Sequence, residues 1–215
     1  MSIVRATTRL KTLIGNWETF INQIHTSLVS LGINPLERHF EMDHLCYRCE
    51  TVQQYQQLIQ QLVPEFGESL IESMIGGRPI TTIKFHQYLV TDLGYSIPCL
   101  EIPAPKAGRS YPQGLEHVEF VIGQKEDGCN DTQALTRFID GCKDSKLTIA
   151  DRFNYDAMNK ARNADVSVSF DGVFCVKFHQ RPLYEVIELE LKEGDVVKVP
   201  DGYFEEALKR EQAAL

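Results

Sequence analysis

The chain has 215 residues, 43% hydrophobic and 24% charged, with a formal charge of -8, enough apolar material for one large or two small domains with buried cores. The acidic balance and the lack of a basic stripe exclude nucleic-acid binding, which needs clustered Lys and Arg against phosphate. The apolar runs are strand-sized, far short of the ~20 residues of a membrane span, so no membrane partner is expected.

Six cysteines without an apolar export segment read as reduced thiols in a cytoplasmic protein. Met1 to Leu13 contains Arg5, Arg9 and Lys11 and no acid, a trait shared with mitochondrial presequences to which composition alone gives little weight. From Thr8 to Leu31, Leu10, Leu13, Ile14, Trp17, Ile21, Ile24 and Leu28 follow the helical period, and Gly32 suits its stop. One amphipathic helix is predicted there, and its heptad-like spacing leaves a homodimer open. His25, on that helix, reads as structural.

Phe40 to Glu50 predicts a strand and Thr51 to Leu62 a helix. Leu70 to Ile75 and Ile80 to Val90 predict a hairpin about Gly76-Gly77-Arg78-Pro79, and Ile97 to Ile102 a further strand ended by Pro103. Leu115 to Ile122 then restarts the order: strand, helix over Gln133 to Cys142, and a hairpin of Val166 to Phe170 with Val173 to His179 about Asp171-Gly172. Polar loops are expected over Gly123 to Thr132 and Ala150 to Asp165. Leu183 to Leu191 fits a strand or a helix, and Tyr203 to Leu215 a helical tail.

The repeated order is reinforced by words. Asp43-His44 and Glu116-His117 each open a strand, and Lys-Phe-His-Gln occurs at Lys84 to Gln87 and at Lys177 to Gln180. An internal duplication is therefore expected. The fold class is α+β: two β-α-β-β-β modules in a curved, partly open mixed sheet, preceded by the amphipathic helix. The expected divisions are 1–34 for the helical extension, 35–106 and 107–192 for the modules, and 193–215 for the tail.

Strand alternation gives His44 the same face as Met42, Cys46 and Arg48, and His117 the face of Leu115, Glu119 and Val121. If the modules pack about a pseudo-twofold axis, both histidines look into one interior. Imidazoles plus a carboxylate suit a divalent metal, iron, zinc, manganese or nickel. Glu101, charged within the apolar Pro98 to Pro103 segment, is the best third ligand, although pairing with Lys84 is the plain alternative. Glu119 is a spare ligand or base. Arg48 would hold a substrate carboxylate or phosphate, the plain alternative being a salt-bridged surface arginine. Asp43 and Glu116 should face away on a regular strand, and His86 and His179 read as structural or supporting residues. Cys46 and Cys49, three apart on a strand, should point to opposite faces rather than share a metal.

Met42 to Cys49, Gly76 to Ile80, Leu100 to Pro103, Arg109 to Pro112, Leu115 to Glu119 and Val176 to His179 together resemble the YecM family of the vicinal oxygen chelate, or glyoxalase/dioxygenase, superfamily. The resemblance implies a divalent metal held from the first and last strands of each module. The matching positions are His44, Glu101 and His117, with a fourth near Glu188 or Glu190. It also implies a small, oxygen-chelating, carboxylate-bearing substrate and an isomerase or dioxygenase type of reaction. The spacing of His44 and Arg48 is similar to that of iron-dependent 2-oxo acid dioxygenases in the superfamily. The alternative is a metal- or ligand-binding protein without turnover on the same fold.

Overall fold

The structure, a computed structural model, describes residues 3–122, 131–160 and 162–213. Of the polar loop expected over Gly123 to Thr132, residues 123–130 lie outside the described residues. The first half runs α1 (Ile3–Ile14), α2 (Trp17–Ser30), β1 (Glu41–Arg48), α3 (Val52–Leu62), β2 (Gly67–Ile75), β3 (Arg78–Val90) and β4 (Ser96–Pro103). The second runs β5 (Gly114–Val121), α4 (Asp131–Asp144), a short 3-10 turn at Thr148–Arg152, β6 (Asp165–Phe170), β7 (Phe174–His179), α5 (Leu183–Glu193) and α6 (Tyr203–Ala213).

The single N-terminal helix expected from periodicity is two. Gly15 takes a left-handed φ of 83°, where a side chain would be strained. Asn16 then caps α2 by accepting the Thr19 N–H. The apolar stripe continues across the break, which is why the pattern reads as one element. Thr51 starts α3 with a full capping box to Gln54.

Seven strands form one mixed sheet in the order β2-β3-β4-β1-β5-β7-β6. Within each half the first strand runs parallel to a later one, β1 to β4 and β5 to β7, and hairpins extend the edges. The halves join through the antiparallel pair β1–β5, with Leu45 opposite Val118. Among the described residues the second half is one strand shorter: where a partner for β6 would lie there is a single bridge, Asn154 to Ser167. Leu183 to Leu191 resolves as helix α5, which starts after Pro182 and ends at Gly194 in the left-handed region.

Leu45, Ile83, Leu100, Ile102, Val118, Phe120, Val176 and Phe178 project from one face of the sheet into the hydrophobic core, together with Trp17, Ile21, Ile24 and Leu28 of α2. Phe120 stacks on Phe178 and meets Tyr95 edge-on. Cys49 lies in this core, whereas Cys46 lies on the other face beside Glu101 and Glu116, so the two thiols diverge as alternation requires. The opposite face carries the histidines. Truncating Phe120 to Ala should lower stability by about 3–5 kcal/mol, read as an earlier urea midpoint at unchanged slope.

Candidate functional site

The two acid-histidine pairs are two β-bulges. The β1–β5 register steps from Met42 opposite Phe120 to His44 opposite Glu119, leaving Asp43 as an extra residue in β1. It steps again from Cys46 opposite His117 to Tyr47 opposite Leu115, leaving Glu116 extra in β5. A bulge places two neighbouring residues against one partner and breaks alternation locally. The acids therefore do not face away, as a regular strand would require. Asp43 accepts His44 Nδ1–H at 2.8 Å and Glu116 accepts His117 Nδ1–H at 3.0 Å. Each carboxylate fixes the ring from behind and turns Nε2 toward the space between the strands.

That space centres on Glu119. Its Oε1 lies 3.4 Å from His44 Nε2, 3.3 Å from His117 Nε2 and 2.5 Å from Lys177 Nζ, and its Oε2 lies 3.4 Å from His179 Nε2. His179, on β7, donates Nδ1–H to the Arg181 carbonyl at 2.7 Å, which turns its Nε2 inward as well. Asp43 and His179 are wholly buried and His44, His117 and Glu119 nearly so. The N-terminal amide of α5, at Leu183, donates to both Asp43 oxygens and closes that end. Lys177 and Glu116 keep 26% and 33% of their side chains exposed, so solvent reaches the site from their side.

Burial alone would lower the His44 pKa, but Glu119 and the Asp43 hydrogen bond raise it to about 10. Burial would raise that of Glu119, yet Lys177 and His44 hold it well below the usual carboxylate range. Lys177 is likewise held cationic against its own burial by Glu119 and Glu101. The cluster is thus a network of mutually stabilised charges in a place that would otherwise neutralise them.

Register shows how the halves correspond. On β4, Cys99 lies beside His44 and Glu101 beside Cys46; on β7, Cys175 lies beside His117 and Lys177 beside Glu119. The place equivalent to Glu101 is therefore held by Lys177, a cation. The fourth position does not fall at Glu188 or Glu190, because both are on helix α5, with Glu188 exposed. The two Lys-Phe-His-Gln words are not equivalent in space. Lys84 to Gln87 is on β3, where His86 is exposed, and Lys177 starts the word on β7.

Among the expected site residues, His44 and His117 come together, with ring centroids 6.3 Å apart. Glu101 approaches to 3.8 Å from His44 Nε2 and faces Thr82, not Lys84, across the sheet. Arg48 pairs through Nε with Glu116 at 2.6 Å. Periodicity did not flag Lys177 or His179 as site residues, and it put Arg78 in a turn. The turn is Gly76-Gly77 alone, both with positive φ, as a two-residue hairpin demands, so Arg78 opens β3.

These features define a class: a mixed α+β protein in which the joined first strands of two half-sheets carry a buried histidine-carboxylate cluster. A family model described as YecM protein matches residues 9–190, and the chain belongs to that family. Protein YecM of Escherichia coli (strain K12) is 29% identical over 167 residues, 75% of this chain and 82% of that one. A solved structure described as Structural Genomics, Protein EC4020 shares the fold, with a TM-score of 0.61 at 24% identity over 80% of this chain and 87% of its own. A Streptomyces coelicolor methylmalonyl-CoA epimerase in complex with 2-nitronate-propionyl-CoA aligns at a TM-score of 0.40 and 13% identity, over 65% of this chain and 95% of that one.

Burial pushes the Glu116 carboxyl up, but His117 and Arg48 hold it down to about 2, against roughly 4.3 when unfolded. Because the folded value is the lower one, its contribution to stability is complete above the unfolded pKa and is lost as pH falls toward about 2. The carboxyl carbon resonance of Glu116 should titrate near that value and move upward in the Arg48→Gln variant; equal midpoints would exclude the pairing. Glu119→Gln removes the ion-pair partner of Lys177 and should destabilise the metal-free protein by about 3 kcal/mol. Adding Lys177→Met should recover part of that loss in urea unfolding.

Proposed function

We propose that this chain is a divalent-metal-dependent enzyme of the vicinal oxygen chelate type, acting on a small carboxylate-bearing substrate in an isomerase or dioxygenase class of reaction. The observation that carries the reading is the convergence of the buried His44 and His117 Nε2 atoms on Glu119 Oε1, at 3.4 and 3.3 Å, with His44 Nε2 lacking a hydrogen-bond partner among the described residues. Both rings are fixed from behind through Nδ1. Buried imidazole nitrogens beside a carboxylate, once deprotonated, fit a borderline transition metal, iron, zinc, manganese or nickel.

His44 and His117 are the proposed nitrogen ligands. Ligating atoms of His44, His117 and Glu119 lie within 4.8 Å of one another. Glu101, at 3.8 Å from His44, is the carboxylate at the position implied by the family resemblance. Ligation by His117 requires Lys177 to give up its 3.1 Å contact with His117 Nε2 while keeping Glu119. A bound metal would act as a Lewis acid toward two neighbouring substrate oxygens. Arg48 would orient the substrate carboxylate, and Lys177, on the solvent-reachable side, would hold a proton near a substrate oxygen. Asp43 and Glu116 would keep the imidazoles in the ligating tautomer. The two half-sheets are read as duplicated modules of a cytoplasmic protein; five free cysteines among the described residues support that location.

The Lys177–His117 contact favours a second reading, a non-catalytic metal- or small-ligand-binding protein. Elemental analysis of unsupplemented protein should find a stoichiometric divalent metal that is lost in His44→Ala and His117→Ala, and full retention in both would sink the site. Oxygen uptake or isomerisation of 2-oxo and 2-hydroxy acids, absent in Arg48→Ala, separates turnover from binding alone.

A further inference from the structure

We infer that Arg48, Tyr111 and Arg78 form a receptor for a doubly charged oxyanion, a phosphate monoester or a dicarboxylate end, at the solvent-reachable side of the histidine cluster. The inference rests on the reading of this face as a small-acid site and narrows its substrate class. The guanidinium carbon of Arg48 lies 5.0 Å from the Tyr111 ring centroid and that of Arg78 lies 5.7 Å from it. One ring thus holds two cations beside each other.

Their charges are not balanced alike. Arg48 has Glu116 at 2.6 Å, whereas Arg78 has no carboxylate within ion-pair distance among the described residues. Arg78 is only 9% exposed, yet its Nε and Nη1 are buried without hydrogen-bond partners, as is Arg48 Nη1. A buried guanidinium with orphan N–H groups is expensive unless an anion meets it. Burial first and then the neighbouring Arg48 lower the Arg78 pKa, with Tyr111, Cys46 and Glu101 acting the other way.

The placement fits one ligand. Arg78 is two residues before Ile80 and four before Thr82, which pair with Pro103 and Glu101, so alternation puts Arg78 on the face of Glu101. Arg48 lies on β1 four residues beyond His44 and is tied to His117 through Glu116. An acid head held by both arginines would leave the rest of a small molecule beside the cluster. A guanidinium fork matches the paired oxygens of phosphate or carboxylate, and two forks prefer two negative charges.

The test is calorimetric titration of metal-free protein with inorganic phosphate, malonate and acetate. Phosphate or malonate should bind about tenfold or more tightly than acetate, and the better of the two names the head group. Arg78→Gln should weaken that dianion about tenfold or more, with Arg78→Lys in between and urea midpoints recording that both fold. Equal binding of acetate and dianions, unchanged dianion binding in Arg78→Gln, or no binding to wild type would overturn the proposal. Metal content, measured on separate unsupplemented samples, reports on the metal site independently. Anion binding without a metal would overturn only the metal reading, and metal without anion binding only this one.

Discussion

The carboxylate of Glu119 is the point on which the histidine face depends. It lies within 3.4 Å of three imidazole nitrogens and ion-pairs with Lys177, in a position almost closed to water. Three rings and an ammonium converging without it would repel or discharge one another, since burial disfavours every charged form. With it, His44 and Lys177 stay cationic in the metal-free protein. The same carboxylate, with the imidazoles deprotonated, is a donor set for a metal. Proton and metal compete for one arrangement.

What aims those groups is backbone irregularity. A regular β1–β5 pair would send Asp43 and Glu116 to the face opposite the histidines. Two bulges, one per strand and placed symmetrically about Leu45 and Val118, bring each acid behind its own histidine instead. These two bulges lie at the seam between the halves, where they orient two rings. At one end the N-terminus of α5 then satisfies Asp43, so the helix that stands where a further strand was conceivable has a local electrostatic role.

Symmetry carries the arrangement only so far. His44 and His117 correspond, as do Cys99 and Cys175, but Glu101 corresponds to Lys177 and Cys46 to Glu119. The first half therefore contributes an acid where the second contributes a base, and the acid facing the centre comes from the second half. Arg48 and Arg78 add positive charge on the first half alone. An asymmetric ligand, charged at one end, suits such a site better than a symmetric one.

The sequence by itself determined most element types, though not that of Leu183 to Leu191, together with the hairpin at Asp171-Gly172 and the opposite facing of Cys46 and Cys49, because these follow from periodicity, turn chemistry and alternation over a few residues; that His44 and His117 meet depended on the pairing of β1 with β5. It could not reveal the break at Gly15, since the apolar stripe of α1 and α2 continues across it. Nor could it match Lys177 with Glu101 or separate the two Lys-Phe-His-Gln words. Those depend on which strands pair and in which register, and register is fixed by contacts between segments far apart in the chain. The bulges belong to the tertiary structure for the same reason: a bulge is a property of two paired strands, and one strand read alone shows only that an acid precedes a histidine.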